Sequence, residues 1–316
     1  MDRSRILVAG GAGFIGRHLC TALAQQGHQV DCLDNFSTSD PRNRAQLEAL
    51  GIHVIEADVT AAPDRLYDYI FHLASPASPV HYRRLSLQTM WANALGTKRL
   101  LDLCVASGAK FLLASTSEVY GDPLVHPQVE EYWGNVNPVG ERACYDESKR
   151  FAETLTAEYR RVYHVNARII RIFNTYGPGM ALRDGRAIPA FLTSALRNET
   201  IRIQGDGQQT RSFCYVSNLV EAIMLVGLDP SADGQILNVG NPTEVTIQHV
   251  AELIRDLSGS TSGIEFVPAA PDDPSRRKPD ISKVQERYGW TPQTPLEIGL
   301  KAVIEDVKTR LDQTLI

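Results

Sequence analysis

The sequence predicts an α/β protein with a doubly wound parallel sheet and a smaller C-terminal α/β lobe. Three observations carry that expectation. Short apolar runs alternate with longer amphipathic stretches six times between residues 4 and 173, the pattern of parallel strands joined by crossover helices. A glycine-rich turn, Gly10-Gly11-Ala12-Gly13-Phe14-Ile15-Gly16, follows the first run and opens the first helical pattern. After Pro178 the regularity changes to short helices and short strands. The expected division is a dinucleotide-binding domain over 1–175 and a substrate lobe over 176–316, some of whose segments return to the main sheet.

Composition narrows the function. At 316 residues the chain can bury one large core or two modest ones. Hydrophobic residues make up 43% and charged residues 22%, as in ordinary soluble proteins. A formal charge of −5 gives no reason to expect nucleic acid or an anionic membrane as partner. No apolar run has the length of a membrane span and no signal peptide is evident, so a cytoplasmic protein is expected. The five cysteines are scattered and read as buried reduced thiols; the histidines show no ligand spacing, so no metal is expected.

The elements follow in order. Residues 4–9 read as the first strand, and the helix after the glycines runs to about Gln26. Gly10 permits the tight turn and Gly13 lets the backbone approach a pyrophosphate. The helix N-terminus offers free N–H groups, and Gly16 allows the helix to pack on the strand. A second strand ends at Asp34, whose carboxylate can take both hydroxyls of an adenine ribose and would repel a 2′-phosphate. Asn35, Phe36 and Ser37 follow with no arginine, so a Rossmann-type site for NAD rather than NADP is predicted. A third strand over 52–56 ends near Asp58 and Val59, beside the adenine. A fourth, 69–72, leads into Leu73, Ala74 and Ser75 and a loop fixed by Pro76 and Pro79. His72, at a strand end, reads as packed rather than catalytic.

Residues 85–107 read as one long helix with Asn93 inside it, placed to bond a backbone group or bend the helix. The fifth strand, 110–115, delivers Ser115, Thr116, Ser117 and Glu118 at its C-terminal end, where open α/β sheets bind ligands. A long loop over 122–140 precedes a helix at about 142–164, which puts Tyr145 and Lys149 on one face. Cys144, beside Tyr145, reads as a packing residue. The sixth strand, 167–173, carries Arg168 and Arg171, which suggests an edge position or solvent-facing ends. In the lobe, helices are expected near 186–198, 217–227, 246–258 and 296–312, strands near 201–203, 235–239 and 264–267, and proline clusters at 268–279. The turn Gly205–Arg211 delivers an arginine suited to a bidentate phosphate contact.

A phenol, an ammonium, hydroxyls and a carboxylate converging at a strand end form an acid/base constellation. The segments Gly10–Gly16, His72–Pro79, Ala114–Gln128, Tyr132–Pro138, Cys144–Arg150, Arg171–Pro178, Gln209–Phe213 and Arg276–Ile281 carry a resemblance. The chain resembles the extended short-chain dehydrogenase/reductase superfamily of nucleotide-sugar enzymes and, within it, the UDP-glucuronic acid decarboxylase family. The triplet Thr116-Ser117-Glu118 is the most telling part.

The resemblance implies NAD-dependent conversion of UDP-glucuronic acid to UDP-xylose. The 4-hydroxyl is oxidised, the resulting β-keto acid loses CO2, C5 is protonated, and the recycled NAD re-reduces C4. It implies Tyr145 as base with Lys149 lowering its pKa, helped by Ser115, Thr116 and Ser117. Glu118 and Arg277 would manage the sugar carboxylate and proton delivery. Asn174 and Arg211 would hold the diphosphate, and Arg186 the nucleotide end, with Phe191 and Gln204 among the substrate contacts. Phe14, Ile15, Asn93 and Thr175 join the cofactor contacts. A homodimer packed through the long helices is also implied. The chain departs from that family at Trp91, Gly179 and Gln204, where lysine, arginine and tyrosine are common; all three are expected to line the substrate pocket or the cofactor's sugar side. A nucleotide-sugar 4-epimerase remains the alternative, and a non-catalytic dinucleotide binder a third reading, which the intact Tyr145/Lys149 pair argues against.

Overall fold

The computed structural model describes residues 3–183, 185–268 and 276–312. Its centre is a seven-stranded sheet in the order β11-β6-β5-β4-β1-β2-β3, parallel throughout. The strands are β1 (Arg5–Ala9), β2 (Gln29–Asp34), β3 (His53–Glu56), β4 (Tyr69–His72), β5 (Lys110–Thr116), β6 (Ala167–Ile172) and β11 (Ile236–Val239). The chain winds outward from β1 to β3, then crosses back to lay β4 on the other side of β1. That reversal opens a crevice between the ends of β1 and β4, the usual ligand site of such sheets.

Helices α1 (Phe14–Gln25) and α2 (Arg42–Ala49) join the first strands. Helix α3 (Pro79–Arg84) begins with proline at its first turn, where the missing N–H costs nothing, and Ser78 caps it. The long stretch after it is one helix in path but not in winding. Helix α4 (Ser86–Trp91) passes through a π turn, Ala92–Gly96, into α5 (Thr97–Ser107). Asn93 is in that turn, so the expected bend takes the form of an inserted residue. Helix α6 (Ala143–Tyr163) follows the 122–140 loop, which two isolated bridges pin at Gly121–Asn135 and Gln128–Pro279.

The C-terminal lobe contains β7 (Thr175–Tyr176), α7 (Ala187–Leu196), β8 (Ile201–Gln204), β9 (Thr210–Ser212) and β10 (Cys214–Tyr215). Helix α8 (Val216–Leu228) then packs against α1, and β11 rejoins the main sheet. The remaining elements are β12 (Glu244–Thr246), α9 (Ile247–Ser258), β13 (Ile264–Val267), β14 (Arg276–Arg277), α10 (Ser282–Tyr288) and α11 (Leu296–Asp312). Residues 269–275, most of the expected proline clusters, lie outside the described residues. Strand β9 lies between β12 and β14, which sets Arg211 beside Arg277. Separate apolar cores fill the two faces of the sheet and the lobe.

The reading of β6 needs correction. It is flanked by β5 and β11, and Arg168 is only 1% exposed. Its guanidinium donates to Asn166 Oδ1 and to the main-chain oxygen of Asp229. Arg171 grips Glu153 through two bonds of 3.0 and 2.8 Å and donates to the Tyr120 hydroxyl and the Glu130 carbonyl. An interior strand can carry arginine when most of its donors find acceptors; here main-chain oxygens, Asn166, Glu153 and the Tyr120 hydroxyl supply them, and Arg168 Nε is left without one.

Candidate active site

The crevice between β1 and β4 is narrow because glycine makes it so. Gly10 has a φ of 78°, and a β-carbon there would lie 2.7 Å from the Ala74 nitrogen. A β-carbon on Gly16 would run into the Gly10 carbonyl, so this glycine lets α1 sit on β1. Asp34 closes the turn: its carboxylate accepts from the Ala12 N–H at 3.0 Å, the Phe36 N–H at 2.9 Å and the Ser39 hydroxyl. Burial pushes its carboxyl up, opposed by these donors. Asn35 donates to Asp58, which also caps the short turn at Val59–Ala61 through Thr60. The Ser37 N–H bonds back to Asn35. Beyond β4, the Ser75 hydroxyl receives Asn93 Nδ2 at 3.0 Å, and the same amide donates to Ser148 on α6 at 2.9 Å. Asn93 Oδ1 is buried with no partner. A glycine cradle at a helix N-terminus, an acid at the end of β2 and an unpartnered amide oxygen fit a dinucleotide. Phe14 and Ile15 are partly buried at the start of α1, while Leu73 and Ala74 form the facing wall. Thr175 is buried on β7, its hydroxyl bonded to the Phe173 carbonyl.

The chemical end lies at β5. Tyr145 and Lys149 stand one turn apart on α6 and both are buried. Burial pushes the Tyr145 phenol up, while a hydrogen bond from the Thr116 hydroxyl region works the other way. Lys149 donates to the Ala114 carbonyl at 2.9 Å, and burial brings its ammonium down to about 8 against the pull of Glu153. Ser115 donates to Glu153 at 2.6 Å, so it is tied to the Arg171 network beneath the site. Thr116 caps a short turn, Ser117–Tyr120, by accepting from the Glu118 N–H at 3.2 Å. This cap aims Glu118 at two guanidiniums: Arg277 holds Oε1 and Arg142 holds Oε2. Burial acts to raise the Glu118 carboxyl, but Arg277 and Arg142 outweigh it and hold it low. Arg277 also donates to the Gly121 carbonyl at 3.0 Å.

The structure thus brings together Thr116, Ser117 and Glu118 after β5, Tyr145 and Lys149 on α6, and Arg277 on β14, three segments separated in sequence. His72 is buried against Thr97 and brought down to about 3 by burial, so it is a neutral packing residue. Cys144 is raised by burial and donates to the Tyr82 carbonyl. Arg211 donates to the Thr210 carbonyl on β9, Arg186 stands at the start of α7, and Asn174 accepts the Cys214 N–H through its carbonyl. Phe191 is packed in the lobe's apolar core. The three departures fall in different places. A β-carbon at Gly179 would meet the guanidinium of Arg17, which donates to the Pro178 carbonyl at 2.9 Å, so Arg17 occupies that space. Gln204 is exposed at the end of β8. Trp91 is 50% exposed on α4, with Leu87 and Leu95 exposed beside it in the same stretch of helix.

Sequence reasoning missed three participants. Arg142 and Asp146 form an i, i+4 pair at 3.7 Å, a spacing that could have flagged them. Tyr82 stacks on Tyr145 with ring centroids 5.2 Å apart, and its buried hydroxyl has no partner. Only the fold reveals that contact. Among the described residues no cluster of three or more His, Cys, Asp or Glu could hold a metal, and no helix is long and apolar enough to cross a membrane.

Against this geometry the comparisons with known proteins are informative. The family model of the NAD dependent epimerase/dehydratase family matches residues 6–240. UDP-glucuronic acid decarboxylase 1 of Arabidopsis thaliana is 48% identical over 310 residues, covering 98% of this chain and 71% of the relative. UDP-glucuronic acid decarboxylase 1 of Xenopus tropicalis is also 48% identical, covering 98% and 74%. Among solved structures, UDP-glucuronic acid 4-epimerase of Bacillus cereus, in complex with UDP-glucuronic acid and NAD, superposes with a TM-score of 0.86. It is 26% identical, with 97% of this chain and 99% of that one covered.

Proposed function

The chain belongs to the NAD dependent epimerase/dehydratase family, and from that premise we propose how its own residues turn UDP-glucuronic acid into UDP-xylose. NAD, when bound, would supply a reversible hydride acceptor for C4 of the sugar. Gly10, Gly13 and Gly16 would admit its pyrophosphate to the N-terminus of α1, and Asp34 would take its adenine ribose. Tyr145 takes the proton of the 4-hydroxyl. The resulting 4-keto sugar is a β-keto acid, which loses CO2 and leaves an enolate. Tyr145 and the hydroxyls of Thr116 and Ser117 stabilise the enolate oxygen. An unperturbed phenol titrates near 10, so work near neutrality needs a drop of roughly 3 units, about 4 kcal/mol. Burial alone moves Tyr145 the wrong way, so the drop must come from positive charge beside it, with Lys149 one turn away.

The single observation that carries decarboxylation, beyond the dehydrogenase chemistry common to the family, is Glu118 clamped between Arg142 and Arg277 at the end of β5. Two guanidiniums converging on one strand-end carboxylate supply the bidentate donors that suit a sugar carboxylate. Asn174 and Arg211 are assigned to the diphosphate, and Arg186 to the nucleotide end. A second reading, a 4-epimerase, has support in the Bacillus cereus neighbour.

The protein is further proposed to act as a cytoplasmic homodimer. Leu87, Met90, Trp91 and Leu95 on the α4–π turn stretch and Phe151 on α6 expose apolar side chains along the two long helices, which supports pairing through them. Five free cysteines support a reducing compartment. The test is incubation of the purified protein with UDP-glucuronic acid and no added NAD, read by mass spectrometry and sugar NMR. Loss of CO2 to give UDP-xylose is expected. An unchanged mass with inverted C4 would overturn the reading in favour of the epimerase.

A further inference from the structure

One buried carboxyl beside the catalytic tyrosine has no part in the reaction as assigned above. Asp146 follows Tyr145 in the first turn of α6 and is 5% exposed. Its Oδ1 has no hydrogen-bond partner, and its Oδ2 lies 3.7 Å from Nε of Arg142, whose guanidinium is already engaged by Glu118. The charged groups facing it are Glu118 from the turn after β5, Arg277 from β14, and Arg142 and Glu147 at the start of its own helix. The phenols of Tyr82, from α3, and Tyr145 and the thiol of Cys144 also border it. Two carboxyls share two guanidiniums unequally: Glu118 is gripped by both, and Asp146 has only the far edge of one.

Resting on the decarboxylation proposed above, we infer that Asp146 takes up a proton from solvent when the substrate's carboxylate enters the site, and so stores the proton equivalent that C5 consumes after CO2 leaves. With Asp146 ionised, the charges of Glu118, Asp146, Arg142 and Arg277 cancel. A substrate carboxylate would then add an uncompensated negative charge in a buried place, which is costly. Protonating one carboxyl removes that cost. Glu118 is the poor choice, because its two guanidiniums hold it low. Asp146 is the ready one, since burial and the Glu118 charge already bring it up to about 7.

The balance closes over one turnover. The C5–carboxylate bond breaks, its electron pair stays on the sugar as enolate, and CO2 leaves neutral. The enolate then takes one proton at C5. The site has lost one negative charge and one proton together, and returns to its starting state.

The experiment uses the NAD-loaded Tyr145→Phe protein, in which turnover is slowed enough for substrate binding to be measured by itself. Titration with UDP-glucuronic acid in buffers of different ionisation enthalpy, followed by calorimetry, counts the protons taken up. An uptake of about half a proton at pH 7 is expected, rising toward one at pH 8, because a group titrating near 7 starts half ionised. UDP-xylose, which has no carboxylate, should give none. In Tyr145→Phe/Asp146→Asn the uptake with UDP-glucuronic acid should vanish; an unchanged uptake would overturn the inference. Should the Asn variant not fold, difference infrared spectroscopy on the Asp146-bearing protein decides. A carboxylic acid C=O band must grow when UDP-glucuronic acid binds, and its absence is equally fatal. CO2 release by the unmodified enzyme is measured separately, so failure of the decarboxylase reading is distinguished from failure of this one.

Discussion

At the β1 end of the sheet the site is shaped by main-chain groups: the N–H groups of Ala12 and Phe36 converge on Asp34, and Gly10 lies against Ala74. At the β5 end it is shaped by buried charges drawn from three segments, with Glu118, Arg142, Asp146 and Arg277 facing one another. The first arrangement is local in sequence and depends on what glycine leaves out. The second is assembled from remote residues and depends on each partner staying ionised or neutral as required. A dinucleotide is the same in every member of such a family, so a fixed cradle serves it. The sugar carboxylate is present in some substrates only, and charge is the means of handling it.

The largest effect that separates the two ends is expected from Tyr145→Phe. Turnover should fall by roughly 10²–10⁴, the usual contribution of a general base, while NAD stays bound. Quantifying NAD released on denaturation, beside the rate of CO2 release, checks both. Loss of NAD with activity would mean the two ends are not separable. Next is Arg277→Ala, which strips Glu118 of one partner and should destabilise the fold by about 3–5 kcal/mol, measured by denaturant unfolding. Gly16→Ala attacks the other end by overpacking: the added methyl meets the Gly10 carbonyl, which cannot move aside, and about 1–3 kcal/mol of stability should be lost.

A subtler contrast lies in pH. The Asp146 carboxyl is raised to about 7 in the folded chain, so between about pH 4 and 7 the folded protein holds more protons there than the unfolded chain. Its contribution is therefore fully present at low pH and lost as pH rises through 7, and Asp146→Asn should flatten that part of the stability profile. Glu118 behaves oppositely: held low, it contributes above the ordinary carboxyl range and the contribution is lost on acidification. The smallest effect is expected from Trp91→Lys. At a half-exposed position, monomer stability should move by no more than about 0.5 kcal/mol, while sedimentation should show weaker self-association through the proposed dimer face.

Much of this was legible in the chain itself. The glycine turn, Asp34 and the strand alternation announce themselves because their causes are local: backbone conformation and a hydrophobic period. Tyr145 and Lys149 were readable for the same reason, being four apart on one helix. Glu118 was readable as a strand-end acid, but its partner Arg142 was not, since nothing in sequence says that a helix start 24 residues on will fold back upon it. Arg168 and Arg171 misled because charged residues in a strand ordinarily mean water, and here they mean loop carbonyls and Glu153. Nor does the sequence mark the winding of the helix around Asn93, on which the heading of Trp91 relative to α5 depends.

That winding has a mechanical meaning. The π turn at Ala92–Gly96 spends one residue more than an α-helix would over the same path. Residues after it, such as Leu100, Leu101 and Cys104, are in phase with the sheet, whereas Asn93 is in phase with Ser148 on the neighbouring helix. Deleting one residue between Ala94 and Gly96 would restore uninterrupted α-winding and swing the preceding segment by about 100° relative to α5. Asn93 would leave Ser148, and Trp91 would turn away from its present heading. The extra residue is thus a phase correction, which lets a single rod keep time with two partners whose spacings do not match.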